Sequence, residues 1–319
     1  VLKEALKPNL VQTSEGTPCL IHTGPFANVS IGSSSIIADK IALGLSDYVV
    51  TESGFGADCG AEKFFNIKCR YSGLVPDLCV LVCSVRGLKA QSRRFNIVPG
   101  EKIDPKIFEE NMEALDEGYQ NLKKQIENVK VFGVPVIVAI NIFPTDQKKE
   151  IQYVAGKALE FGALDACSGS SFKDGSKGLL DLARSVIKHT LRNNDGFRYL
   201  YKDTDTVKEK IEKVAKNIYG AEDVVYSEDA LKSIDFYSRA GFGGLPVCIA
   251  KTQFSLSGDE SLKGAPRGFS FPVKDVRLAA GAGFILAHSS IMQTMPGLPV
   301  EPKGNSVDID ESGEVTGLS

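Results

Sequence analysis

Two apolar runs of strand length, Leu78 to Val85 (LCVLVCSV) and Val134 to Ile142 (VPVIVAINI), carry no alternation of apolar and polar positions. That pattern predicts strands covered on both faces, and so a parallel sheet. Between them, Met112, Leu115, Tyr119, Leu122, Ile126 and Val129 recur at helical spacing among charged residues, which predicts an amphipathic helix over Asn111 to Val131 lying on that sheet. The alternation of strand and helix continues with a helix over Lys148 to Phe161, a strand over Leu164 to Cys167 and a helix over Leu179 to Leu191. Upstream, Cys19 to His22 reads as a short buried strand and Ile36, Ile37, Ile41, Leu43 and Leu45 as a helix. Tyr48 to Val50 reads as a strand feeding the glycine-rich stretch Thr51 to Tyr71. Residues 90 to 105 and Ser168 to Gly178 are predicted loops. Residues 193 to 230 form a charged connector, and beyond Gly243 the segments shorten and glycine and proline become denser, as in a small mixed sheet.

The predicted class is therefore α/β, a parallel sheet with helices on both faces followed by smaller units. A chain of 319 residues exceeds what one core usually organises. The expected division is a large parallel-sheet domain over 1 to 137, a smaller α/β domain over 138 to 225 and a C-terminal α+β domain over 226 to 319. Lysine and arginine total 37 against 40 acidic residues, a net charge of -3, which gives no general electrostatic case for nucleic acid. Seven cysteines, an odd number without paired CxxC spacing, read as reduced, buried small side chains. With three histidines not spaced among them, no metal site is expected. No run approaches the roughly 18 to 20 apolar residues that span a bilayer, so no membrane partner is expected.

Several loops bear on chemistry. The strand, the loop GPFANVSIGSSS and the helix after it form a layout that presents N–H groups to an anion, and equally an ordinary loop with a serine N-cap. No GxxxxGK followed by serine or threonine occurs, so a triphosphate cradle of that kind is missing from these 319 residues. GFGADCG (54 to 60) has three residues, not two, between its second and third glycines. The next strand also ends at Ser84-Val85-Arg86, where a ribose-binding carboxylate would stand, so a dinucleotide fold is disfavoured. Phe55, Phe143 with Pro144, and Phe172 each sit in a glycine- or proline-marked loop after a predicted strand. Each is either a plug for a local core or a platform for a flat ligand.

Read in order, KPNLVQTSEGTP (7 to 18), GPFANVSIGSSSIIADKIAL (24 to 43), TESGFGADCGAEKFFNIKCRYSG (51 to 73), AINIFPTD (139 to 146), GFGGLPVCIAKTQFS (241 to 255), RLAAGAGF (277 to 284) and MQTMPGLP (292 to 299) resemble formate–tetrahydrofolate ligase, or 10-formyltetrahydrofolate synthetase. The resemblance covers the later half of that family's chain. It implies a P-loop-NTPase-like large domain of which only the second half is present, the P-loop and an arginine acting on formyl phosphate lying upstream. It implies ATP-dependent ligation of formate to tetrahydrofolate through formyl phosphate, with MgATP and tetrahydrofolate as substrates, a monovalent cation as an option and no tightly bound cofactor. The implied assembly is a homo-oligomer or a pairing with the upstream half, in the cytoplasm or an organelle. By the same resemblance, Phe55, Phe143, Pro144 and Phe172 line a folate pocket in which the pterin lies between flat apolar groups. The main catalytic groups, by the same comparison, lie upstream of Val1.

Three positions depart from the family pattern. Phe172 stands where relatives have tryptophan, Ile31 where they commonly have histidine, and AQSRR (90 to 94) where a His-Gly-Gly turn follows VRALK; Arg86 and Lys89 keep their places. The alternative to the ligase is a non-catalytic or split subunit that binds folate or serves assembly.

Overall fold

The computed structural model describes residues 3–27, 29–95, 97, 103–190, 196–289, 302–311 and 315–316. Residues 96 and 98–102 of the loop expected over 90 to 105, and the segment 292–299, lie outside them. The chain opens with an antiparallel hairpin, β1 (Asn9–Gln12) and β2 (Pro18–Ile21). The buried strand expected over Cys19 to His22 is thus a surface strand. Its partner is fully exposed, and only His22 is buried, bonded to Ser35 Oγ at 2.7 Å and to the Ala5 carbonyl at 2.8 Å.

The central sheet holds β3 (Cys79–Cys83), β4 (Val136–Asn141) and β5 (Asp165–Gly169), all parallel and in that spatial order. Every residue of β4 from Val136 to Ile140 is buried, as its unbroken apolar run requires for coverage on both faces. β3 does not follow the same expectation. Val80 and Val82 are 37% and 66% exposed, because one face of this edge strand has no layer over it among the described residues. Nor does the expected strand over Tyr48 to Val50 form. Val50 is 92% exposed, and the glycine stretch after it folds into two π-helical turns, Gly56–Ala61 and Phe64–Lys68.

The helix Met112–Lys130 starts where the Asn111 side chain accepts the Ala114 N–H at 2.9 Å, and it buries Leu115, Leu122, Ile126 and Val129 against β3, β4 and the helix Val85–Ala90. Gly118 lets the two helices touch, since a methyl there would overlap the Leu88 carbonyl. The helices Lys148–Glu160 and Leu180–Thr190 cover β4 and β5. The loop expected over Ser168 to Gly178 is largely two short helical turns, Ser171–Asp174 and Gly175–Leu179.

Downstream, β6 (Asp223–Tyr226) will pair in parallel with β8 (Ser270–Val273). The mixed sheet expected beyond Gly243 is β7 (Val247–Ala250), β10 (Phe284–His288) and β9 (Asp275–Ala279), with β10 parallel to β7 and antiparallel to β9. A two-residue ladder, β11 (Asp308–Ile309) with β12 (Val315–Thr316), follows. One apolar cluster runs from Ala57 through Leu122, Val138 and Ile211 to Ala287, so the two larger sheets share a core. Among the described residues no helix is long and apolar enough to cross a membrane.

This core contains charged side chains. Lys63, Lys89, Lys210 and Lys251 are fully buried, and each donates to backbone carbonyls or to a carboxylate, as a buried ammonium must. Lys89 meets Glu150 Oε1 at 2.6 Å, which fixes the helix Val85–Ala90 to the helix Lys148–Glu160. Glu62 is buried without a cation of its own. Its Oε1 accepts the Asn66 amide at 2.7 Å and its Oε2 has no hydrogen-bond partner, so burial pushes the carboxyl from the usual 4.5 up to about 7.

Two outcomes follow from this packing. In an open helix Gly118→Ala would stabilise by roughly 1 kcal/mol through helix propensity. The overlap with Leu88 reverses the sign, and urea unfolding should show a loss of about 1–3 kcal/mol. Because Glu62 holds its proton more tightly folded than unfolded, its contribution is complete below pH 4.5 and is lost as the pH rises through about 7. The shift corresponds to roughly 3 kcal/mol. Between pH 5 and 8 the wild type should lose more stability than Glu62→Gln, and equal pH slopes for the two would refute the assignment.

Candidate functional site

β4 delivers Phe143 at its carboxyl end. The ladder persists one residue past the strand, where the Ile142 N–H reaches the Gly169 carbonyl at 2.9 Å. The chain then turns: the Phe143 N–H donates to Asp146 Oδ2 at 2.9 Å, and the Asp146 N–H returns to the Phe143 carbonyl at 2.9 Å. This side-chain closure fixes the half-buried Phe143 and leaves Pro144 exposed before the helix at Lys148. On the neighbouring strand, β5 ends at Gly169, and Phe172 lies three residues on, 82% exposed. Its turn is closed by Ser170 Oγ donating to Asp174 at 2.6 Å and by the Asp174 N–H donating to the Ser170 carbonyl at 2.8 Å. Strand pairing therefore brings Phe143 and Phe172 to one edge of the sheet, where open α/β folds place ligands.

A polar cleft of about 850 Å³ lies beside this edge, lined by Ile142, Ser168, Ser170, Lys173 and Lys177 among others. The hairpin of β1 and β2 reaches it through Glu15, whose Oε1 accepts the Ser176 N–H at 2.8 Å. Hydrogen bonds from Ser176 are the main reason the Glu15 carboxyl lies below the usual range.

Phe55 stands elsewhere in the loop framework. It is 44% exposed, and its ring meets Phe26 edge to face with centroids 5.8 Å apart. Two loops cross here, and their backbones touch because Gly32, Gly54 and Gly60 carry no Cβ: a methyl on Gly54 would strike Ala27, and one on Gly60 the Gly54 carbonyl. Lys63 donates to the Ala27 carbonyl and pins the first loop. Asp58 anchors the second, with its Oδ2 at 2.7 Å from Lys251 Nζ and its Oδ1 accepting the Gln125 amide at 2.8 Å, while its own N–H donates to Gln125 Oε1 at 3.0 Å. Burial alone would raise the Asp58 carboxyl, but Lys251 and Gln125 outweigh it and hold it below the usual range. Lys251 is likewise penalised by burial, yet Asp58 holds it above the ordinary lysine range. The pair is therefore an ion pair at neutral pH.

Ser35 Oγ accepts the Ala38 N–H at 3.1 Å as a helix N-cap. Ile31 packs on Ile67, Cys248 and Phe284, an apolar niche.

Arg86 and Phe26 are the residues that the sequence reading of the site missed. The Arg86 guanidinium lies 3.7 Å from the centroid of the Phe143 ring and 5.5 Å from that of Phe108. Its signal was its place directly after an apolar run, at a strand's carboxyl end; that of Phe26 was a lone aromatic in a glycine-rich loop. At the sheet edge Phe143 and Arg86 together offer a flat apolar face and a cation.

The family model described as formate--tetrahydrofolate ligase matches residues 1–319. Among curated proteins, the chain is similar to formate--tetrahydrofolate ligase 3 of Rubrobacter xylanophilus, 49% identical over 327 residues, covering 100% of this chain and 57% of that one. It is 49% identical over 319 residues to formate--tetrahydrofolate ligase of Saccharopolyspora erythraea, covering 100% and 56%. Against the mitochondrial C-1-tetrahydrofolate synthase of Saccharomyces cerevisiae it is 46% identical over 333 residues, covering 100% and 34%. The chain spans about half the length of the bacterial relatives it matches. Since every residue falls within the one family model, this chain belongs to the formate–tetrahydrofolate ligase family.

Proposed function

We propose that this chain is the folate-placing part of an enzyme that joins formate to tetrahydrofolate at the expense of ATP. The observation that carries the reading is the family match over all 319 residues, and the neighbouring strand ends bearing Phe143-Pro144 and Phe172 agree with it. In that reaction formate accepts the γ-phosphoryl group of MgATP and ADP is released; N10 of the folate then attacks the formyl carbon, the bond to phosphate breaks, and loss of the N10 proton leaves 10-formyltetrahydrofolate and phosphate. The phosphoryl and tetrahedral transition states need electrostatic stabilisation. Phe55, Phe143, Pro144 and Phe172 line the pterin slot and supply proximity, holding N10 where the formyl group arrives. Phe143 and Phe172 form its walls on the sheet edge. Phe55, which meets Phe26 on the crossing loops, belongs to the slot on the family resemblance alone.

The domain reading belongs to the same proposal. The parallel sheet is the second half of a larger one that continues past β3, which agrees with β3 standing at the edge of its sheet with β4 alone beside it among the described residues. A second reading, a split or non-catalytic folate-binding subunit, is favoured by one observation: Ile31 fills an apolar niche where the resemblance places histidine.

The purified 319-residue chain, given ATP, formate and tetrahydrofolate, should yield no sustained 10-formyltetrahydrofolate. Sustained turnover would contradict the assignment of this chain to placement alone. In tetrahydrofolate titrations Phe172→Ala should weaken binding by roughly 1–3 kcal/mol, or about 5- to 150-fold, while Phe172→Trp holds or tightens it. Equal affinity for wild type, Ala and Trp would remove Phe172 from the slot.

A further inference from the structure

Arg86 is held at the sheet edge by aromatic rings. It leaves β3 at the first turn of the helix Val85–Ala90, whose start is fixed by Ser84 Oγ accepting the Gly87 N–H at 3.1 Å. Its guanidinium lies over the face of Phe143 at 3.7 Å, with Phe108 at 5.5 Å. Among the described residues it has neither a carboxylate within ion-pair distance nor a hydrogen-bond acceptor. Other arginines show the contrast: Arg70 pairs with Asp203 at 2.6 Å, and Arg94 with Glu113 at 2.8 Å and Glu117 at 2.7 Å. A half-buried guanidinium that is stacked yet unpaired keeps its donors open to an incoming group. Stacking also removes much of the rotamer freedom that an arginine otherwise loses on binding.

We propose that Arg86, held over the face of Phe143 with no carboxylate partner among the described residues, is an oxyanion-binding residue of this edge. Its ligand is a carboxylate or phosphoryl group, gripped by the fork of N–H donors that suits both. The assignment of this edge to folate rests on the proposed function, but Arg86's place on it does not. Its geometry also constrains that slot, because the ring face of Phe143 under Arg86 is taken, and a pterin stacking on Phe143 would use the opposite face.

The test is titration calorimetry of the 319-residue chain and its Arg86→Gln and Arg86→Lys variants with four probes: inorganic phosphate, formate, folate, and pteroate, which is folate without its glutamate. Thermal unfolding confirms that each variant is folded. Arg86→Gln should weaken at least one oxyanion at least tenfold. Arg86→Lys keeps the charge but neither stacks flat nor forks, and should remain at least threefold weaker than wild type; it carries the test if Arg86→Gln does not fold. Loss confined to phosphate assigns a phosphoryl group, loss confined to formate assigns the formate carboxylate, and loss for folate but not pteroate assigns the glutamyl carboxylate. Wild-type affinity for all four probes in the folded variants overturns the proposal, as does a wild-type chain that binds none of them. Phe143→Ala, titrated with pteroate, separates the two readings. Loss there with intact Arg86 variants leaves the folate slot standing and Arg86 refuted. The reverse result refutes the slot and leaves Arg86 standing.

Discussion

The buried pair of Asp58 and Lys251 is the constraint on which the arrangement of this chain depends. Asp58 lies in the first π-helical turn, Gln125 in the long helix on the parallel sheet, and Lys251 directly after β7 of the downstream sheet. A charge taken out of water is costly unless it is paired and hydrogen-bonded, and here each member is supplied by a different part of the chain. Lys251 also donates to the Ser255 carbonyl at 2.6 Å and lies 5.1 Å from the Tyr219 ring centroid, so the same ammonium orders the loop after β7 and faces the helix at Ala215–Tyr219. Breaking the pair leaves a bare charge at the junction of both sheets.

That junction sets where the glycine-rich loops run. The crossing of Ala27 and Gly32 with Gly54 and Gly60 is closed by glycines too near their neighbours to tolerate a Cβ, and it is fixed underneath by Lys63 and Asp58. Phe55 and Phe26 ride on this crossing. The sheet edge is built independently, by strand register and the Asp146 and Ser170 turn closures that hold Phe143 and Phe172. The aromatic positions thus depend on two supports, one ionic and buried, the other made of backbone ladders and short side-chain caps.

Much of this was legible in the sequence, for reasons that differ by element. The unbroken apolar run of β4 and the helical spacing over Asn111 to Val131 predicted their elements, because burial on both faces and on one stripe leave distinct patterns. The same rule failed for β3. Its run looks alike in sequence, but coverage of Val80 and Val82 is a tertiary fact that no local pattern encodes. Tyr48 to Val50 failed as a strand: among the described residues no strand pairs with it, and Val50 is 92% exposed. At the site, Phe143, Pro144 and Phe172 were visible as loop residues after strands, whereas the role of Arg86 required the ring geometry. The Asp58–Lys251 pair joins residues far apart in the chain, and nothing around either one announces the other.

The most direct test of the account is a double-mutant cycle on that pair, read by urea unfolding of Asp58→Asn, Lys251→Met and the double variant. The account predicts that each single change costs about 3–5 kcal/mol, because each strands a buried partner, and that the double variant costs well under the sum. Single losses below about 1 kcal/mol that simply add would contradict it.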